Sequence, residues 1–580
     1  MSRRILFITN EIVPFYYGWI GTLFKAVAKT LRRRGYEVAL LGQRPAGFDE
    51  EVFRWHYGDI THFLHAGVSG CGGTSLLDGA REVWRTFREI QPLFRPEVVV
   101  GADFGGECLL LFLDARSGQY PETTFVLTIN GMTSDINAVF EGGEQAFWNQ
   151  WLWDPGLRLA DAMEEITVSL ADRIVAPTAW VWSQVRERTG IEREARIIPN
   201  LSDADFFETF SDMDPVALPD PVILFVGRLD RTKGADILLE AYLRLAERKP
   251  IFLPRLVFIG RDCIWRAYRA TFLDHWKPLI PPALQDRIVF AGQIQHEEVR
   301  DYLRRAMLCV FPSRWEAYGI VCLEAMQAGC PVLVSRDTGL AEVVGPAFPE
   351  LLFDVHTGPE GLAEAIRTLM AVLPSKPDLP ARVRQRARQI LHEAEEGWVA
   401  FLEECGGKYR TQRTHPMPGD FFADILQVLM PVEELQPDVP LAHSYLKVYF
   451  RQDGTYSEDH ALRVPYPAFL LTTLRLTLPE GTGESPLRVN PADKNGLILV
   501  EFISLVQDGV ELWRCEGIDA FRRLVVQGEV DRSILGRWLA LSAKTSDPQI
   551  LMDCPVTDSP AVLKMRLCFT PRSGKVHAEP

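Results

Sequence analysis

Apolar positions in the first 410 residues fall in short unbroken runs, and the stretches between them carry apolar residues at helical spacing. RILFIT (4–9), EVALLG (37–42), EVVVGA (97–102), TTFVLTIN (123–130), RIVAPT (173–178) and ARIIPN (195–200) predict strands. Helices are expected between them, including 21–34 and 156–171. Strands that are apolar throughout belong to parallel sheets covered on both faces. SDMDPVALPDP (211–221) is rich in Asp and Pro, lacks periodicity and reads as a linker. The alternation then restarts with VILFVG (222–227), RLVFIG (255–260), RIVFAG (287–292), LCVFPS (308–313), PVLVS (331–335) and LLFD (351–354), closed by a long helix over 379–404. From about residue 430 the runs YLKVYF, ALRVPY, LLTTLRLTL, GLILVEFISLV and LKMRLCFT alternate between turn residues and predict an antiparallel sandwich. Residues 515–545 read as more helical.

The fold class expected is therefore α/β: two doubly wound, Rossmann-like domains facing a cleft, plus a C-terminal β-sandwich-like domain. The boundaries expected are 1–210, 211–410, a linker at 411–435, and 436–580. A chain of 580 residues needs several cores. The formal charge of −15 argues against a general nucleic-acid surface, which would need a basic face, and leaves room only for local basic clusters such as LRRRG (31–35). Ten cysteines are scattered with no pair at C-x-x-C spacing, so reduced core thiols are expected rather than a zinc site. The apolar run in MSRRILFITNE is too short for a signal peptide and suits a first strand. No stretch reaches the roughly 18 apolar residues of a membrane span, which leaves only peripheral membrane contact open.

Two stretches carry candidate chemistry. In FPSRWEAYGIVCLEAMQAGCPV (311–332), a strand ends near Pro312, a loop holds Glu316, and a helix starts at about Gly319 and stops at Gly329. The helix N-terminus is an anion site. Glu324 lies one to two turns inside, so both carboxylates can face one cleft, and a ligand diol would satisfy a buried one. A solvated Glu316 and a Glu324 that pairs with a core arginine or caps a backbone group fit the spacing equally. In VILFVGRLDRTKGADILLEAY (222–242), Gly227 ends a strand, and Arg228 and Lys233 lie on the following loop. Two cations at a strand's carboxyl end suit a diphosphate, with a solvated turn as the plain alternative.

GRLDRTKGADILLEAY together with FPSRWEAYGIVCLEAMQAGCPVLVSRDTGLAEVV (311–344) resembles the retaining glycosyltransferases of family four, which have the GT-B fold. Glu-x7-Glu followed by EAMQAGCPV is the most specific mark. GWIGTLFKAVAKTLRRRGYEV (18–38), SLADRIVAPTAWVWSQV (169–185) and IIPNLSDADFF (197–207) are similar to further family segments in the expected order, so the likeness covers about 4–405. It implies a nucleotide sugar on the second domain and an acceptor on the first. Gly227, Arg228, Lys233, Arg314, Glu316, Ala317, Tyr318, Gly319, Ile320 and Glu324 would form the donor site. Within it the resemblance assigns the diphosphate to Arg228 and Lys233, the ribose to Glu324, and the transferred sugar to Glu316. The backbone of Ala317–Gly319 would touch sugar and phosphate. Catalysis would fall to Glu316, Arg228, Lys233 and Asn130.

The chain departs from the pattern on the acceptor side. Asn130 stands where the family commonly has a sugar-contacting His; it can hydrogen-bond but cannot titrate. Gly18 is followed by Trp19 rather than by a second Gly, and Asp103 in GADFGGE ends a strand facing the same cleft, with capping of the next helix as its alternative role. YFRQDGTYSEDHALRV (449–464) and LRVNPADKNGLILVEFISL (487–505) resemble β-sandwich segments appended to bacterial surface-polysaccharide glycosyltransferases.

The function expected is a metal-independent, retaining hexosyltransferase acting in bacterial surface polysaccharide or glycan synthesis. It would take a UDP- or GDP-sugar, need no cofactor, act on a carbohydrate or lipid-linked acceptor, and work in the cytoplasm or peripherally on the inner membrane face. A homodimer through the C-terminal domain is left open. The alternatives are a catalytically degenerate scaffold that binds nucleotide sugars, and an α-glucan synthase. The latter is suggested by TNEIVPF (9–15), although Tyr16 and Tyr17 stand where those enzymes carry a Lys.

Overall fold

The computed structural model describes the chain apart from residues 1–2, 17, 67–72, 117, 141–154, 190, 192, 203–220, 249–251, 266–269, 407–442, 450–455, 458–460, 468–471, 479–486, 494–495, 509, 536–537, 544–546, 554–560 and 572–580. The linker expected at 411–435, and all of 211–221 but its last residue, lie outside the described residues.

Seven parallel strands form the first sheet: β1 (Arg4–Ile8), β2 (Glu37–Gln43), β3 (Thr61–His65), β4 (Val98–Ala102), β5 (Thr124–Thr128), β6 (Arg173–Ala176) and β7 (Arg196–Ile197), in the order β3-β2-β1-β4-β5-β6-β7. Alternate residues serve opposite faces. Ile5 and Phe7 pack into one core, Leu6 and Ile8 into another, and all four are fully buried. The continuous apolar runs follow from this two-sided burial. β3 (THFLH) was not expected: it is an edge strand with mixed polarity and mostly half-buried residues, so no apolar run announces it. β7 is two residues long, much shorter than ARIIPN suggests.

The second sheet holds β8 (Val222–Val226) and β9 (Arg255–Ile259), then, beyond a small hairpin of β10 (Ile264–Trp265) and β11 (Ala270–Thr271), β12 (Ile288–Gly292), β13 (Ala306–Phe311), β14 (Val332–Ser335) and β15 (Leu352–Phe353). Its order is β12-β9-β8-β13-β14-β15, again parallel. Chain order reverses between β1 and β4 in the first sheet and between β8 and β13 in the second. Crevices outside the strands' carboxyl ends at such switch points are where ligands bind in open α/β sheets.

The helix Leu379–Gly406 ties the two units together. Leu379, Val383, Ala387 and Ile390 enter the second core, and Ala394, Trp398, Phe401 and Leu402 enter the first. The basic end of the helix Trp19–Arg33 docks on it: Arg34 contacts Glu396, and Arg33 lies 3.7 Å from Glu395. These arginines are engaged within the fold.

Beyond residue 442 lie two antiparallel sheets of five and six strands that share one core, which makes a sandwich. In the stretch that reads as helical, Gly517–Arg523 is the only helix among the described residues; Val525–Gln527, Val530–Leu535 and Trp538–Ala543 are strands. Leu499 and Ala540 of this sandwich are buried in the same cluster as residues of the first domain. Among the described residues no helix is long and apolar enough to cross a membrane.

Candidate active site

Two loops meet at the switch point of the second sheet. The loop after β8 begins at Gly227, whose N–H donates to the Ile259 carbonyl at 2.9 Å. Asp230, 1% exposed, organises this loop: it accepts the Lys233 backbone N–H at 2.9 Å and lies 2.9 Å from Arg228 Nε. The loop after β13 is stitched to it by the Thr232 carbonyl, which accepts the Arg314 N–H at 2.8 Å. Across this junction the Lys233 ammonium donates directly to the Glu316 carboxylate, and both side chains are only partly exposed.

Arg314 holds the junction from beneath. Its guanidinium grips Asp236 with two bonds of 2.8 and 2.7 Å and donates to the Arg231 carbonyl at 2.8 Å. These bonds give it a loop-fastening task at the junction. Gly319, in the left-handed region at φ 82°, caps the helix Ile320–Gln327, and Gly329, left-handed at φ 76°, follows the C-cap Ala328, so the two glycines bound the helix as expected. Glu324 is 4% exposed on that helix. The Tyr318 ring is buried in the core, so what it can offer a ligand is backbone.

Trp315, next to Glu316, reaches across to the first domain. Its indole lies against Gly131 just beyond β5, where a Cβ would come within 2.0 Å of Cη2. With φ at 120° as well, that position is closed to a side chain. Trp180 meets the same indole edge-on at 5.7 Å. Thr178 Oγ1 donates to the Ala317 carbonyl at 2.8 Å. Glu342 accepts the Ala179 and Trp180 N–H groups at 2.9 and 2.7 Å, capping the helix Ala179–Thr189 from the other domain. The carboxyl-end loops of the two sheets thus confront each other.

On the first-domain side, Asn130 is 2% exposed, and its Nδ2 donates to Asp103 Oδ1 at 3.3 Å and to the Thr128 carbonyl at 3.1 Å. That orientation leaves Asn130 Oδ1 buried with no hydrogen-bond partner among the described residues. Asp103 is fully buried and makes no side-chain cap to the turn that follows it; its Oδ2 accepts the N–H groups of Asn130 and Gly131 at 2.8 and 3.0 Å. Burial raises its carboxyl to about 6, against the lowering by those donors. Trp19 is the first residue of its helix. Gly18 caps the same helix because Glu11 leaves no room for a Cβ, which would lie 2.0 Å from the carboxyl carbon.

Glu11 lies just past the end of β1, at the switch point of the first sheet, with its Oε2 accepting the Gly21 N–H at 2.8 Å. Glu107, beyond β4, receives the Asn10 amide, and burial followed by the field of Glu11 raises it to about 8. TNEIVPF contains Asn10 and Glu11, and GADFGGE contains Glu107; their places after the first and fourth strands of a doubly wound sheet are the signal that marks them as site candidates. Trp315 and Glu342 went unnoticed. Nothing local marks them, because their partners come from the other domain.

Two doubly wound sheets with their carboxyl-end loops opposed constitute the GT-B architecture. Residues 20–206 match the profile described as Glycosyltransferase Family 4, and residues 208–390 match that of Glycosyl transferases group 1. The chain belongs to this family. It is similar to D-inositol 3-phosphate glycosyltransferase 1 of Catenulispora acidiphila, 31% identical over 261 residues, a match that takes in 43% of this chain and only 60% of that relative. Glycogen synthase of Mycobacterium tuberculosis is 26% identical over 408 residues, 66% of this chain and 88% of its own. Among solved structures, sucrose-phosphate synthase from Thermosynechococcus elongatus superposes with a TM-score of 0.54 at 21% identity, covering 70% of this chain and 98% of its own, a likeness of fold.

Proposed function

We propose that the protein is a retaining, metal-independent hexosyltransferase that moves a hexose from a nucleoside-diphosphate sugar to a glycan or glycolipid acceptor, in the cytoplasm, in the synthesis of bacterial surface polysaccharide. The observation that carries the reading is the contact between Lys233 and Glu316 at the switch point of the second sheet. A diphosphate leaving group gains negative charge as the glycosidic bond breaks, and a fixed ammonium beside the N-terminus of the helix Ile320–Gln327 stabilises it without a metal. Arg228, half-exposed on the same loop, supplies a second cation. Glu324 takes the ribose hydroxyls, and Glu316 lies beside the transferred sugar. The acceptor enters from the first domain, residues 1–210, past Gly18 and Trp19, and residues 211–410 hold the donor. Front-face attack, with the acceptor hydroxyl delivered on the side the diphosphate leaves, preserves the anomeric configuration and needs no titrating base at Asn130.

The test is to incubate the full chain with UDP-, GDP- and ADP-hexoses and to follow donor consumption and product anomer by NMR. Consumption with retained configuration supports the proposal; an inverted product, or no donor bound or consumed, defeats it. A second reading is favoured by Asn130, which cannot titrate: a scaffold that binds the donor and never turns it over. Thermal stabilisation by a nucleoside diphosphate without hydrolysis or transfer would select it.

A further inference from the structure

We infer that Glu164 is a positioning residue of this site: with Asp103 it sets the conformation of Asn130–Thr133, the part of the first domain that faces the Trp315 loop. The inference rests on reading that cleft as the place of sugar transfer.

Glu164 is fully buried on the helix Pro155–Leu170, with its carboxylate spread across two turns. Oε2 accepts the Thr133 N–H at 2.7 Å; Oε1 accepts the Gly105 N–H at 2.7 Å and the Thr133 hydroxyl. Its neighbour Met163 fills the space beside Gly106, where a Cβ would come within 2.5 Å, so the helix fits closely over the 103–106 turn. Asp103 binds the same segment two residues earlier, through the N–H groups of Asn130 and Gly131.

The two acids repel each other, and burial plus the field of Asp103 push the Glu164 carboxyl well up. A buried acid pair is expensive in an apolar interior, and a plain loop does not need one. What it produces here is specific. Asn130 is turned so that its Oδ1 is buried and without a hydrogen-bond partner among the described residues, and Gly131 lies flush against the Trp315 ring. A buried acceptor without a partner among the described residues leaves a hydrogen bond open to a bound group such as a substrate hydroxyl. Glu164 touches neither substrate nor Trp315 and acts through the segment it holds.

The experiment compares full-length wild type with Glu164→Gln, Glu164→Asp and Thr133→Val. Glutamine keeps the shape but turns one acceptor into a donor facing the N–H groups of Thr133 or Gly105. Glu164→Gln is expected to lower kcat by about tenfold or more, with KM for the nucleotide sugar and Kd for the nucleoside diphosphate within twofold of wild type. Glu164→Asp, which retains both acceptor oxygens, should recover part of kcat. Thr133→Val removes one bond with little change of shape and should lower kcat by a smaller factor in the same direction. Hydrogen exchange at the amides of Gly131 and Thr133 should accelerate in Glu164→Gln. The inference is overturned if Glu164→Gln keeps wild-type kcat, or if diphosphate affinity falls by the same factor as kcat in both Glu164→Gln and Thr133→Val, which marks general damage to the fold. Wild-type protein that binds no nucleoside diphosphate would overturn the proposed function instead.

Discussion

The ammonium of Lys233 and the carboxylate of Glu316, 83 positions apart in the chain, are in direct contact where the loops after β8 and β13 cross. Each sits on a loop held by its own buried acid-centred bonds: Asp230 grips the backbone of Lys233, and Asp236 grips Arg314 two residues before Glu316. The pair is therefore presented on fixed supports, which is what electrostatic stabilisation of a leaving group requires.

Replacing Lys233 by Ala should lower kcat about 10²–10³-fold, the range for losing one preorganised stabilising group. Glu316→Gln should cost less, and the double variant should cost less than the two single losses combined, because the residues share one interaction. A double-mutant cycle on kcat checks this; strict additivity would separate the two roles.

Glu324→Gln should weaken nucleoside-diphosphate binding by about 1–3 kcal/mol, the cost of mispairing a buried polar partner, with a smaller effect on turnover. Calorimetry on the variant reads it. Unchanged affinity would remove Glu324 from the nucleotide site.

At Gly131, alanine should cost about 1–3 kcal/mol of stability and most of the activity, since the backbone there is left-handed and the Cβ would collide with the Trp315 ring. Adding Trp315→Leu should restore part of the stability by making room, while activity stays low. Chemical denaturation of the three variants tests the steric origin.

Glu342→Ala removes a helix cap supplied across the domain boundary, worth about 0.5–2 kcal/mol. The free protein should become more open, with a larger radius of gyration in small-angle scattering, and a bound donor should close it again. An unchanged radius would mean that the remaining contacts, among them Thr178 to Ala317, Arg231 to the Val139 carbonyl at 3.1 Å and Trp315 against Gly131, suffice.

Activity should fall as pH drops through about 6, where Asp103 takes up a proton and can no longer accept fully from Asn130 and Gly131. Stability responds with the opposite sign. The folded chain holds this proton more tightly than the unfolded one, so the group's contribution is present below the ordinary value of 3.8 and lost as pH rises to 6. Acid loss of kcat without loss of folded protein between pH 7 and 5 is expected, and Asp103→Asn should be weakly active with that limb flattened.

Much of this molecule is legible in one dimension. Runs such as VILFV and RLVFI announce strands because both faces of their sheet are covered, and the run alone records that burial. THFLH at the sheet's edge and the strands of 525–543 escape, because an edge or half-solvated strand carries polar residues that blur the period. The donor-side candidates sit within a few residues of strand ends, so loop position is enough to nominate them. Arg314 shows the limit of such nomination. Loop position puts it beside Glu316, while its guanidinium turns away to Asp236.

What the sequence by itself determines is the local grammar: two doubly wound units, an alternating C-terminal region, and charged residues at the loops that follow particular strands. Tertiary structure decides which of those charges meet. Thr178 finds Ala317 across 139 positions, Glu342 finds the N-terminus of a helix 162 positions earlier, and Glu164 selects Thr133 and Gly105. The reason is physical. Periodicity is a property of neighbours along the chain, whereas a buried carboxylate is satisfied by whichever donors the packed sheets and helices bring within about 3 Å of it.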